Sequence, residues 1–122
     1  MLALTLQPTE RKPTMKTTDT FTFVSVYGTE YPNCRFSVAH YFNGNNALFI
    51  DDDEGRVVTC SVNGSRINKA DEIGIKNWSE NDGVVEFLTQ MGIIGEKVAE
   101  EPSGFVTIPY YKLTESGKEL FA

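Results

Sequence analysis

The stretch Ser79-Glu-Asn-Asp-Gly-Val-Val-Glu-Phe-Leu-Thr-Gln-Met-Gly-Ile-Ile94, followed by Ser103-Gly-Phe-Val-Thr-Ile-Pro-Tyr-Tyr-Lys-Leu113, decides the reading of this 122-residue chain. Ser79 with Asp82 three residues on is a capping-box arrangement. Val84, Phe87, Leu88 and Met91 then recur at helical spacing, and Gly92 supplies the stop. This pattern predicts one helix of about 12 residues. Phe105 to Ile108 is aromatic and β-branched, so a strand returns there, and Pro109 either ends it or puts it at a sheet edge. Thr114 to Phe121 is expected to form a final helical turn.

Upstream of the helix the pattern changes to short β runs. Phe21 to Tyr27, Cys34 to Phe42, Ala47 to Ile50 and Arg56 to Val62 are each rich in β-branched or aromatic residues. Asn43-Gly44, Asp51 to Gly55 and Asn63-Gly64 supply the turns after the last three. The period of two puts Phe36, Val38, His40 and Phe42 on one face. The simplest hairpin registers set residue 60 opposite 47, and 47 opposite 41. Asn68 to Ile75 fits either a short strand or a turn of helix. The sum is an α+β fold: a mainly antiparallel sheet, a meander of short strands, with one short helix packed on it.

Residues 1–19 hold Pro8, Pro13 and Thr-rich polar stretches and read as a flexible N-terminal arm, leaving 20–122 as a single α+β domain. Met15 is a second candidate start, and the Leu2-Ala-Leu-Thr-Leu6 alternation could add an edge strand. A chain of this length buries a working core without disulfides or metals. Its hydrophobic content of 40% fits a globular protein. The formal charge of −6 argues against a phosphate-backbone partner, because such binding needs clustered Lys and Arg. Nucleic acid is therefore an unfavoured partner. No apolar run of spanning length is present, so membrane insertion is not expected. With only Cys34 and Cys60, and no signal peptide, the chain reads as cytoplasmic with two inert buried thiols.

The candidate chemistry is sparse. Asp51, Asp52, Asp53 and Glu54 look at first like a calcium loop. An EF-hand needs Gly at position 6 and a carboxylate at 12, whereas here Gly55 falls at 5 and Val62 at 12. A solvated turn that docks a basic partner is the better reading. His40 is the only histidine and reads as a half-buried structural residue. Glycine-rich phosphate loops are absent. Trp78 precedes the expected cap, where it either staples the helix or faces a ligand. Phe105, Tyr110 and Tyr111 form an aromatic strip around Pro109 with one face available for binding. No catalytic residue, cofactor site or metal site is assigned, and an enzyme is not expected.

Two resemblances add to this reading. Lys76-Asn-Trp-Ser-Glu-Asn-Asp-Gly-Val84, then Phe87-Leu88, Gly92-Ile-Ile94 and Ser103-Gly-Phe-Val-Thr-Ile-Pro109, resembles a group of small proteins of unknown function common in phages and mobile elements of bacteria. Trp78 stands where that group usually shows Tyr. The resemblance covers about 40 residues and implies a bacterial or phage origin, with no catalytic residue to transfer. Phe87 to Ile94 with Tyr110 to Leu120 is also similar to the tail of winged-helix DNA-binding regulators, which implies two helices upstream and a basic recognition helix. The candidate helix instead carries Glu80, Asp82 and Glu86, which phosphate would repel. The expectation is a non-enzymatic interaction protein of a phage or mobile element with a protein partner. One version presents Asp51 to Glu54, with Asp71 and Glu72, to a positively charged nucleic-acid-binding site. A winged-helix regulator is the alternative.

Overall fold

The computed structural model describes residues 19–122, so the arm expected over 1–19 and the Leu2–Leu6 strand lie outside the described residues, Asp19 excepted. Seven strands and two short helices follow in the order β1 (Phe21–Val24), β2 (Glu30–His40), β3 (Asn46–Asp52), β4 (Gly55–Thr59), β5 (Glu72–Gly74), α1 (Val84–Gln90), β6 (Ile94–Ser103), β7 (Val106–Leu113) and α2 (Glu115–Leu120). The α+β architecture is as expected: β1-β2-β3-β4 is an antiparallel meander, and β5-β7-β6 is a second antiparallel sheet. Among the described residues one isolated bridge, Ser61 to Ile75, stitches the two sheets together.

The hairpin registers differ from the simplest reading. Ala47 pairs with Ala39, not residue 41, and Cys60 donates its N–H to Leu48 rather than facing residue 47. The cause is the turn. Gly44 N–H bonds Tyr41 C=O and Gly44 sits at φ 91, so the loop closes one pair earlier, at Tyr41 and Asn45. Cys34 and Cys60 therefore stay apart as free, buried thiols.

Along β2 and β3 the apolar alternation builds the core. Cys34, Phe36, Leu48 and Ile50 point inward to meet Ile73, Ile75, Val84, Leu88 and Ile93. Phe87 of α1 lies in an aromatic cluster with Phe21, Phe23 and Phe36, edge-on to Phe23 at a centroid distance of 5.1 Å. The expected inward face stops at Val38. His40 and Phe42 run past the end of the core and are exposed, with the His40 ring 5.8 Å from Phe121. His40 is thus not a half-buried structural histidine.

The decisive stretch folds differently from its reading at two points. Residues 79–81 form an isolated 3-10 turn, and α1 begins only at Val84 with Gly83 as its cap at φ 91. Ser79 itself has φ 60 and makes no side-chain capping bond, so the capping box is not formed. The helix has 7 residues rather than about 12. Gly92, at φ 76, does end it. Pro109 neither ends a strand nor marks an edge, because β7 is the central strand of its sheet. Pro109 keeps its place in the ladder through its carbonyl, which accepts the Ile75 N–H at 3.0 Å, while on the other side it stands opposite Glu100.

The ambiguous segment Asn68 to Ile75 contains the strand β5, and α2 supplies the expected final helical turn. Among the described residues no pair of helices precedes α1, which is what a winged helix would need. No helix among them is long and apolar enough to cross a membrane.

Candidate functional site

The acidic segment straddles the β3–β4 hairpin. Asp51 and Asp52 end β3, and Asp53 and Glu54 make the turn. Cations already hold two of the four carboxylates. Arg56 Nε lies 2.5 Å from Asp51 and its guanidinium stacks 3.8 Å over the Phe49 ring, while Arg35 reaches Asp53 at 3.4 Å. Asp52 Oδ1 accepts the Glu54 N–H at 2.9 Å, which fixes the turn. Asp52 and Glu54 have no ion-pair partner among the described residues. They rim an open depression of about 710 Å3 that also touches Ser37 and Val38. The arrangement can receive a basic group of a partner. Among the described residues no group of three or more His, Cys, Asp or Glu side chains converges in a way that could hold a metal ion.

Asp71 and Glu72 do not join this surface. Asn46, at the opposite end of β3, donates to Glu72 C=O at 2.9 Å. Six steps of about 3.3 Å along the strand put the acidic turn roughly 20 Å away. Glu72 is also buried and paired with Arg66 at 3.1 Å, and Asp71 lies 3.6 Å from Lys112.

The aromatic strip around Pro109 divides. Tyr110 is fully buried, Tyr111 is half-buried against the core, and Phe105 is fully exposed at the β6–β7 turn. Tyr110 is therefore not a surface residue. Trp78 is half-buried, lies outside the apolar core cluster, and sits five residues before the true cap, too far to staple α1.

What the pattern of residues concealed is a polar hub under the segment 62–71. The Glu101 carboxylate accepts the Ser65 hydroxyl, the Tyr110 hydroxyl at 2.5 Å, the Ser65 N–H at 3.1 Å and the Arg66 N–H at 3.4 Å. These donors, the Ser65 hydroxyl first and the Tyr110 hydroxyl next, lower its pKa to about 2. Burial, and then the same carboxylate, push the Tyr110 hydroxyl well above its ordinary range. From the other side Asn45 Nδ2 donates to Arg66 C=O at 2.8 Å, and Asn45 Oδ1 accepts the Asn68 N–H at 2.8 Å. Asn46 Nδ2 donates to both Ala70 and Glu72 C=O. The Asn-rich turn 43–46 was the one available sequence signal.

At one end of the molecule this hub ties the β2–β3 turn and the segment 62–71 to Glu101, which lies on β6 two residues before the strand ends at Ser103. The β2–β3 turn, the segment 62–71 and the β6–β7 turn each carry one large apolar side chain in solvent. Phe42 is 101% exposed, Ile67 68% and Phe105 109%. Residue spacing gave no hint that these three positions share an end.

Compared with known proteins, the chain matches no family model, no curated protein and no solved structure.

Proposed function

We propose that this chain is a non-enzymatic binding protein of a phage or mobile element, which docks on another protein in the cytoplasm of a bacterial host. The observation that carries the reading is the loop end bearing Phe42, Ile67 and Phe105. Leaving a large apolar side chain in water forgoes about 1.5–3 kcal/mol of burial free energy; Phe42 and Ile67 stand on loops that one hydrogen-bond hub ties together, and Phe105 stands on the turn beyond the hub's Glu101. Contacts of this kind, aromatic and held on ordered turns, suit an interface core because little ordering cost remains on binding. The open carboxylates Asp52 and Glu54 act at a distance, raising the encounter rate with a basic partner. Two buried free thiols fit a reducing compartment. The phage or mobile-element origin rests on the resemblance carried by Lys76 to Val84 and Ser103 to Pro109.

The test is affinity capture from bacterial lysate, followed by calorimetry with the purified captured protein. Three proteins are compared: wild type, Phe42→Ser/Phe105→Ser, and Asp51→Asn/Asp52→Asn/Asp53→Asn/Glu54→Gln. Wild type is expected to retain a stoichiometric partner, and the aromatic variant to lose it with its circular dichroism spectrum unchanged. The acidic-turn variant is expected to keep most of the affinity and lose the salt dependence of the on-rate. A partner held equally by the aromatic variant, or no partner at all, refutes the reading.

A further inference from the structure

A separate surface lies along β1. In the strand order β1-β2-β3-β4 its outer edge has no neighbour among the described residues. The Ser25 N–H bonds Thr29 C=O at 2.9 Å, which makes Ser25 and Thr29 a bonded pair. Bonded and non-bonded pairs alternate in an antiparallel ladder, so Val24, opposite Glu30, directs its N–H and C=O away from β2. Beside this edge runs an open groove of about 360 Å3 between β1 with its turn and the start of α1. Val24 and Val26, 51% and 47% exposed, line it with Phe87, and Asp82 and Glu86 stand on its far wall.

The charge on that wall is uncompensated. Seven carboxylates elsewhere have a Lys or Arg partner, whereas Asp82 and Glu86 have none among the described residues. No Lys, Arg or His lines the groove. An open edge, an apolar floor and an anionic wall together select an extended chain with apolar side chains on one face and cations on the other. Phosphate-bearing polymers and anionic membranes are repelled by the same wall.

We propose that the groove binds an extended basic segment of a partner protein by strand addition. The segment pairs with the outward N–H and C=O of Val24, lays its apolar side chains on Val24 and Val26, and sets Lys or Arg against Asp82 and Glu86. This surface lies apart from the Phe42, Ile67 and Phe105 end, so the two readings stand or fall separately.

The probe is a labelled peptide of alternating Lys and Val, titrated by fluorescence anisotropy against the full chain at about 150 mM salt, where long-range attraction is largely screened. Wild type is expected to bind it saturably, one to one, and to ignore the matching Glu–Val peptide. Asp82→Asn/Glu86→Gln should weaken binding by about tenfold or more, in line with the loss of close charge pairs. Val24→Pro should abolish it, since only the outward N–H is lost and edge strands tolerate proline. The Phe42→Ser/Phe105→Ser and acidic-turn variants should bind as wild type does. Hydrogen exchange on wild type gives a readout that needs no variant. The Val24 amide should exchange fast in the free protein and slow on peptide addition. The proposal is overturned if wild type does not bind, or if the acidic-turn variant weakens as much as the groove variant. A Val24 amide already protected in the free protein also overturns it, because the chain itself would then cover the edge.

Discussion

Glu101 sits on β6, the outer strand of its sheet, yet hydrogen bonding makes it a structural residue. Its pKa is lowered in the folded state from an ordinary 4.5 to about 2. The stabilisation is therefore complete above the ordinary range and lost as pH falls from about 4.5 towards 2. Urea midpoints of wild type and Glu101→Gln, measured from neutral pH downward, should differ most at neutrality and converge near pH 2. Curves that stay parallel throughout would refute the assignment. Tyr110→Phe removes one donor to this carboxylate from a fully buried position and is expected to cost on the order of 1–3 kcal/mol, read as a shift in urea midpoint at constant slope. In Cys34 and Cys60 the balance is reversed, because burial outweighs the Phe23 backbone hydrogen bond at Cys34 and the Arg56 charge near Cys60. Burial pushes both thiols up, so both should resist alkylation in the native protein and react fully in denaturant.

At the scale of elements, the two helices begin in opposite ways. Thr114 caps α2, its Oγ1 accepting the Gly117 N–H at 3.0 Å and donating back to the Gly92 C=O. Ser79 caps nothing. Thr114→Ala should thus cost about 1–2 kcal/mol by chemical denaturation, while Ser79→Ala stays within about 0.5 kcal/mol. A large loss at Ser79 would reinstate the capping box that the sequence suggests. The packing of α2 depends on Gly117, where an added Cβ would stand 2.2 Å from the Ile93 carbonyl oxygen, a backbone atom with no freedom to yield. Gly117→Ala is expected to unseat α2 and lower the thermal midpoint markedly, whereas exchange at Glu115, on the exposed side, leaves it unchanged.

At the scale of the whole molecule, two sheets share one core, and the segment 62–71 joins them. Asn46 holds that segment from the first sheet, donating to Ala70 and Glu72 C=O from a position only 5% exposed. Asn46→Ala leaves the buried Glu72 carbonyl, and the exposed Ala70 carbonyl with it, without that donor and should cost about 1–3 kcal/mol. Hydrogen exchange should also quicken in β5 ahead of β3, since β5 is short and depends on that tether. An equal change in both strands would mean that the sheets unfold as one unit independently of Asn46.

Local chemistry determined much of this protein. The meander of β1 to β4 follows from β-branched runs separated by Asn-Gly and acidic turns, and α2 follows from Thr114 three residues before Gly117. Such signals act over a few residues, so they survive in any tertiary setting. The strand β6 was not legible, because Ile94 to Ser103 carries Gly95, three glutamates, Lys97 and Pro102 with no apolar alternation, and it forms only because β7 offers it a ladder. The capping box failed for the converse reason. Lys76 N–H bonds Cys60 C=O, and Asn81 Nδ2 bonds Thr59 and Lys76 C=O, so the chain is fastened to β4 before α1 can begin. The surfaces were hidden in the same way. Sequence spacing places Phe42, Ile67 and Phe105 in three unrelated loops, and Val24 and Glu86 on two unrelated elements. Only the closure of two sheets around a common core puts the first three at one end and the second two on one groove.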